Sequence, residues 1–495
     1  MAQTPHARAI LAATILGSAL VFIDGTAVNV ALPVFQRDLH ADVSQVQWIV
    51  EAYQLFLSSL VLVGGSLGDH LGRRRIFIIG VAAFTICSAW CGLAPTPGQM
   101  IAARAVQGVA GALLVPSSLA IISASFGDDR GRAIGTWSAF TSLTLALGPV
   151  LGGWLVQHLS WRWVFYMNVP LAAIVLWLAI RCVPESRDKT AGALDIPGAL
   201  LATAGLGAIV FGLIESNNRG LGSPLVWGSV VAGCVLLVLF ILRERTTPSP
   251  LLPLAIFRSR IFSSVNILTF LLYAALGGAL FFVPFNLIQV QKYTPTEAGS
   301  ANLPMIALMV LLSRKTGAIA DRFGPRLPLV IGPAIAGIGF ALFTRPGIGG
   351  SYWTTFFPAI VVLGLGMSIT VAPLTTAVMS TAGERSGVAS GVNNAVSRTA
   401  ALMAVAVLGV VVVQRFSTSL HARTAALHLP PAAFAQVNRL VDMPIPATLP
   451  PAARAMFQQA IALSFVDAFR ASMWIAAGLA VAGALTSLIG IRDAR

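Results

Sequence analysis

Four ionisable side chains fall deep inside long apolar runs of this sequence: Asp24, Glu51, Arg104 and Arg398. An ionisable group in hydrocarbon is costly unless it is paired or hydrated, so each needs a partner or a task. At a rise of ~1.5 Å per residue, Asp24 lies roughly 13 Å and Glu51 and Arg104 roughly 9 Å from the outer ends of their runs, depths compatible with one cluster. Two carboxylates sharing one arginine can keep one ionised while the other takes up and releases a proton, which is proton-coupling chemistry. The alternative is a structural salt bridge joining three helices, and Glu51 is shallow enough to stand in water near the outer mouth. Arg398 has no carboxylate at similar depth in its own half of the chain. It reads equally as an anion or substrate contact and as a packing group bonded to backbone carbonyls. Asn266, Asn286, Gln289, Asn393 and Asn394 are further polar groups that can line a pocket, with ordinary interhelical hydrogen bonding the simpler role.

Other chemistries lack their residues. The six histidines, His6, His40, His70, His158, His421 and His428, map to tails, loops or run ends, and no His-Glu-x-x-His or Gly-x-Ser-x-Gly occurs. Cys87 and Cys91 lie one helical turn apart in an apolar run, with Cys182 and Cys234 elsewhere, a pattern of neither a disulfide nor a metal site. There is no phosphate-cradling ATP loop, so neither cofactor nor metal is expected and a gradient must supply any energy.

The elements that would carry these groups follow from composition. Of 495 residues, 56% are hydrophobic and 10% charged, with a mean hydropathy of +0.83, too apolar for one soluble core; lipid must serve as solvent. Apolar runs near 9–33, 45–68, 75–94, 98–124, 132–156 and 163–182 predict one six-helix half. Two further spans are expected at about 196–215 and 223–242, then a charged linker 243–260. Six more follow near 261–288, 298–320, 327–344, 352–378, 386–414 and 464–491, about fourteen in all. The first run lacks a small-residue cleavage site and reads as a retained helix. Residues 415–463, rich in Ala and Pro, read as a long outer loop with room for one short amphipathic helix.

The net charge of +14 does not point to nucleic acid, because the basic residues sit in short clusters between apolar runs. With the N-terminus cytoplasmic, about twenty of the 32 Lys and Arg fall in cytoplasmic segments and about nine outside, the positive-inside bias. An even span count then places both termini in the cytoplasm.

One phrase is written twice. Gly65, Asp69, Gly72 and Arg74 recur as Gly317, Asp321, Gly324 and Arg326 at a constant offset of 252, that is 317 minus 65. Equal spacing over four positions indicates internal duplication. Eight spans separate the copies where a plain six-helix duplication would leave six, so the pair within 196–242 reads as an insertion. Small residues permit close helix approach, and Asp69 at a helix C-terminus needs a compensating partner such as Arg73 or Arg74. A charge held that way can latch a gate. A plain basic turn that only fixes topology is the alternative, and duplication favours the gate.

This phrase, Gly-Ser-Leu-Gly-Asp-His-Leu-Gly-Arg-Arg in its first copy, resembles the signature of the major facilitator superfamily, with His70 at the usual arginine. Gly148-Pro149-Val150-Leu151-Gly152-Gly153, with Gly135 upstream, resembles the antiporter signature of drug exporters, although Thr144 replaces a glycine; glycines packing helices is the other explanation. Three more segments, Asp24 to Pro33, Trp161 to Pro170 and Gly387 to Asn394, resemble the fourteen-span drug:proton antiporters. Arg104-Ala-Val-Gln107-Gly108 resembles the fourth-span motif that the family links to proton transfer.

The resemblance implies an all-α polytopic fold: a six-helix bundle over 1–183, a linker with two inserted helices over 184–260, and a second bundle over 261–495. It implies proton-driven efflux of small apolar or amphipathic compounds such as drugs or secondary metabolites across the inner (cytoplasmic) membrane. A facilitator-type importer or proton symporter is the competing transporter, and a non-transporting receptor on the same fold the competing class. The partners implied are a small-molecule substrate, protons and the lipid bilayer; nothing in the sequence names a periplasmic adaptor. The first turn, with three consecutive arginines, is expected to be the stronger latch, since the second has Pro325 and a lone Arg326.

Overall fold

The computed structural model describes residues 5–188, 194–380, 386–425, 434, 436–445 and 449–491, and every regular element among them is helical. Twelve of the described helices are long and apolar enough to cross a membrane, and the apolar helix Arg326–Leu342 is shorter. The first group is α1 (Pro5–Asp38), α2 (Val43–Leu71), α3 (Arg73–Leu93), α4 (Pro97–Ser125), α5 (Arg130–His158), and the broken pair α6 (Trp163–Tyr166) and α7 (Asn168–Cys182). The break has a local cause: Pro170 has no N–H to give the Tyr166 carbonyl one turn back. These helices pack mainly among themselves, α2 and α3 on α4 and α1 on α5 and α7.

A hairpin follows, α8 (Ile196–Arg219) and α9 (Pro224–Thr246), where two spans were expected. The last group is α10 (Arg260–Phe285), α11 (Pro295–Ser300), α12 (Leu303–Phe323), α13 (Arg326–Leu342), α14 (Phe356–Ser380), α15 (Ser386–Thr424) and α16 (Pro451–Gly490). Again the partners are internal: α10 packs on α15 and α16, and α13 on α14 and α16. α8 bridges the two groups, its Val210 and Ile214 packing with Leu55 of α2 and Leu402 and Ala406 of α15.

Turn chemistry matches the sequence. Asp42 caps α2 in a capping box, accepting the Gln45 N–H at 2.8 Å while its own N–H donates to Gln45 Oε1 at 3.1 Å. The turns after α2 and α12 both close on a glycine in left-handed space, Gly72 at φ +114° and Gly324 at φ +83°, where a side chain is strained. The duplicated phrase therefore builds two like turns. Alternating helix directions put these turns, both helix ends nearest the termini, and the mouth of the α8–α9 hairpin on one face, the terminal face.

On the opposite face the 415–463 stretch is shorter as a loop than its composition suggests, because α15 runs on to Thr424 and α16 starts at Pro451. Polar side chains pair across these extensions: Asp467 accepts Ser419 Oγ and Arg423 Nη2, each at 2.7 Å. Between them the turn Val437–Asp442 lies over both groups. Gln36 of α1 donates to the Arg439 carbonyl at 2.7 Å, Gln289 donates to Gln36 Oε1 at 3.1 Å, and Leu440 is buried.

Candidate proton-coupling and gating sites

Asp24 sits mid-way along α1 and Arg104 in the first half of α4, and the close α1–α4 packing brings them into an ion pair, Nη1 to Oδ2 at 2.5 Å. Both side chains are shut from solvent, 0% and 1% exposed. The same Nη1 donates to Gln107 Oε1 at 2.8 Å, one helical turn along, and Gln107 Nε2 returns to Asp24 Oδ1 at 3.1 Å. Arg104 Nε donates to the Ile49 carbonyl at 3.1 Å, and the Tyr53 ring lies 4.0 Å below the guanidinium carbon. Asn168 Nδ2 completes the ring, 3.3 Å from Asp24 Oδ1 and 2.8 Å from Ser88 Oγ. A desolvated pair of this kind is held by its hydrogen bonds as much as by charge.

Sequence reasoning paired Asp24 with Arg104 and named Gln107 only as part of a motif. It missed Asn168 and Ser88 as partners, although Asn168 stands inside the Trp161–Pro170 segment. Glu51 is 1% exposed but makes no hydrogen bond to Arg104 among the described residues, and its Oε2 is buried with no partner among them. It lies on the α2 face that meets α15, one turn from Gln47, whose Nε2 donates to the Val405 carbonyl at 2.8 Å. The structure thus gives the two carboxylates separate surroundings, one within the first group and one at the seam between groups.

Arg398 is half-buried on α15, and its Nε donates to Asn394 Oδ1 at 2.7 Å. Asn393 turns to its own group, donating to Thr269 Oγ1 at 2.7 Å and Asn266 Oδ1 at 3.2 Å of α10. Asn393 thereby fastens α15 to α10, and Asn394 is exposed.

At the first turn Asp69 Oδ1 takes Arg73 Nη2 at 2.7 Å and Nε at 2.8 Å, the partner its helix end requires. The charge on the turn is held by a residue that sequence reasoning did not single out. Glu185, just beyond α7, accepts the Arg74 and Arg75 N–H groups at 3.1 and 3.2 Å, an anion on the N-terminus of α3. Arg74 Nη2 donates to the Ile180 carbonyl at 2.9 Å, Arg73 N–H to the Ser186 carbonyl at 3.0 Å, and Asp188 N–H to the Asp69 carbonyl at 3.0 Å. Gly65 faces Pro116 of α4 with room for a Cβ at ordinary contact, 3.4 Å from the proline, whereas a Cβ on the neighbouring Gly64 would strike the Ala112 carbonyl of α4. At the second turn Arg326 Nη2 donates to the Leu488 carbonyl at 3.1 Å and Gly317 faces Ala372; the Asp321 side chain lies outside the described residues.

The glycine-proline run of α5 does two jobs. Gly148 and Gly152 admit α1, with a Cβ at Gly152 falling 2.7 Å from the Ala27 carbonyl. Gly153 lies against the Pro295 carbonyl of α11, and Gly299 of α11 lies against the Pro149 carbonyl, so the two groups meet backbone to backbone on the opposite face. The Thr296 N–H donates to Gln157 Oε1 at 3.2 Å beside them. Gly135 stands apart, with open space where a Cβ would be.

Helices this apolar around buried charges, with two groups meeting at backbone seams, define a membrane transport fold. The chain belongs to the Major Facilitator Superfamily, whose model matches residues 14–406. It is a multi-pass membrane transporter and not an enzyme. It is 32% identical to the tetracenomycin C resistance and export protein of Streptomyces glaucescens over 97% of this chain and 90% of that one. It is 34% identical to the multidrug efflux pump LfrA of Mycolicibacterium smegmatis over 82% and 80% of the two chains. Among solved structures, an inward-facing bacterial homolog of the human lysosomal transporter Spinster shares the fold, with a TM-score of 0.67 at 16% identity, covering 99% of this chain and all of that one.

Proposed function

We propose that this chain is a proton-driven exporter of small apolar or amphipathic compounds, a member of the fourteen-span drug:proton antiporter family. The observation that carries the reading is the buried Asp24–Arg104 pair, the one carboxylate–guanidinium pair among the described residues with both side chains almost wholly hidden. Relatives named for resistance and export supply the direction of transport. Adding α12 and α13 to the twelve long apolar helices makes fourteen, the count expected for that family. The positive-inside bias supports cytoplasmic termini in the inner membrane.

The residues divide the work as follows. Asp24 in its ion pair ties α1 to α4; a proton arriving at Asp24 cancels the attraction and leaves Gln107 and Asn168 to hold a neutral carboxyl. The bundles then rock about the seam where Gly153 and Gly299 meet their carbonyl neighbours. Glu51 faces the separate seam between α2 and α15 and serves as a second proton acceptor, while Arg398 and Asn394 line the substrate path from α15. Asp69, Arg73 and Arg74 latch the terminal face at the first turn, and Asp321 and Arg326 do so at the second.

Reconstituted vesicles with an imposed pH gradient test this. Wild-type protein should move a fluorescent amphipathic substrate with the gradient and lose most of that flux when the gradient is collapsed. Equal flux with and without the gradient, unaltered by Asp24→Asn, would refute proton coupling.

A further inference from the structure

We infer that the α8–α9 hairpin carries a binding site for an anionic glycerophospholipid at the terminal-face end of α9. A cavity of about 710 Å³ opens there, lined by Glu244, Arg245, Thr247, Pro250, Leu254 and Arg258. It adjoins a second hollow of about 320 Å³ along the outward side of α9, lined by Leu237, Val238, Ile241 and Leu242, and the two share Ile241 and Arg245. A chamber of mixed polar and apolar lining thus continues into an apolar groove.

Charge decides the occupant. Arg245 and Arg258 are exposed, and neither has an ion-pair partner among the described residues. The nearby carboxylates have partners of their own. Asp195 Oδ1 is taken by Arg243 Nε at 2.7 Å and by the Gly198 N–H at 3.1 Å. Glu244 Oε2 takes the Leu252 N–H at 2.7 Å, and its Oε1 is shut from solvent, 3.0 Å from where a Cβ on Gly198 would stand. Glu244 reaches the cavity wall with its carboxylate held by the Leu252 N–H, and the cavity's exposed charges are the Arg245 and Arg258 guanidinium groups, whose planar donors suit a phosphate diester. The apolar walls suit the adjoining acyl chain, and α9 turns Val231, Val235, Val238 and Leu242 outward to lipid. The phosphate sits between Arg245 of α9 and Arg258 of the linker turn Leu254–Arg258, so the lipid staples the hairpin to the segment leading into α10.

The test uses full-length protein purified from membranes and analysed by native mass spectrometry with added phosphatidylglycerol or phosphatidylcholine. Wild-type should retain phosphatidylglycerol several-fold over phosphatidylcholine, and Arg245→Gln/Arg258→Gln should lose that preference. Val238→Trp, which fills the groove with both arginines intact, should also weaken retention. Arg130→Gln/Arg132→Gln, the same charge change elsewhere on the terminal face, should leave it unchanged. Equal losses in the two double variants, no effect of Val238→Trp, or displacement of the lipid by inorganic phosphate alone would each overturn the assignment.

Discussion

Arg104 holds Asp24 by an ion pair 2.5 Å long from which water is excluded on both sides. Removing either partner strands the other charge in a low-dielectric site, at a cost of about 3–5 kcal/mol. Arg104→Ala should therefore lower the thermal midpoint strongly. Asp24→Asn also removes the charge partner but leaves the guanidinium its neutral acceptors on Gln107 and the Ile49 carbonyl, so it should lose less stability than Arg104→Ala while losing proton-driven transport. Thermal unfolding followed by vesicle transport separates the two, and an active Asp24→Asn protein would remove Asp24 from the coupling step.

Asn168 touches the same carboxylate through a single hydrogen bond, so it positions Asp24 and does not carry the proton. Asn168→Ala should shift the pH profile of transport while leaving expression and folding intact, and Asn168→Gln should not restore it, because the longer amide cannot meet Ser88 as well. An unshifted profile would assign Asn168 to helix packing alone.

The glycines of α5 make a paired prediction. A methyl at Gly153 meets the Pro295 carbonyl of α11, whereas one at Gly135 meets nothing within 4 Å. Gly153→Ala should abolish or strongly slow transport by prying the seam apart. Gly135→Ala should be tolerated and gain about 0.5–1 kcal/mol of helix stability. Comparable transport by both variants would show that the seam does not close in the cycle.

Glu185 caps α3 with charge as well as hydrogen bonds. Glu185→Ala should cost about 1 kcal/mol, seen as a drop in thermal midpoint, and Glu185→Gln should lose less. High salt should shrink the gap between wild-type and Glu185→Gln, since the helix-end interaction is screened.

Asp42 gives a pH dependence. Burial raises its carboxyl above the usual range more than the Gln45 and Ser44 N–H groups lower it; Glu215 adds to the rise and Arg439 opposes it. A carboxyl raised in the folded state stabilises below its unfolded value of about 3.9, and that contribution is lost as pH climbs through the folded value. Asp42→Asn keeps the cap without the desolvated charge, so its midpoint relative to wild-type should improve from about pH 4 to pH 7. A constant difference across that range would contradict the assignment.

How much of this was legible in sequence depended on how local the cause was. Helix existence followed from runs of apolar residues, and the twin turns followed from a repeat whose glycines must adopt positive φ. The Asp24–Arg104 pair was legible because few charges lie deep in apolar runs and they must find one another. Asn168 and Glu185 were not, because each acts on a residue more than a hundred positions away through side chains that are unremarkable in composition. The ends of α15 and α16 were misread as loop because polar residues discourage a membrane helix, while the Asp467 contacts with Ser419 and Arg423 make the extension stable.

By itself the sequence determined that this is a polytopic helical protein with duplicated turns and a small set of buried charges, since hydropathy, glycine strain and the cost of burying charge act along the chain. Only the tertiary structure decided that Arg104 serves Asp24 and leaves Glu51 at the seam with α15, that α5 and α11 meet backbone to backbone, and that α8 bridges both groups. Those outcomes depend on which helix faces meet, and helix faces are chosen by packing among distant segments that no local pattern encodes.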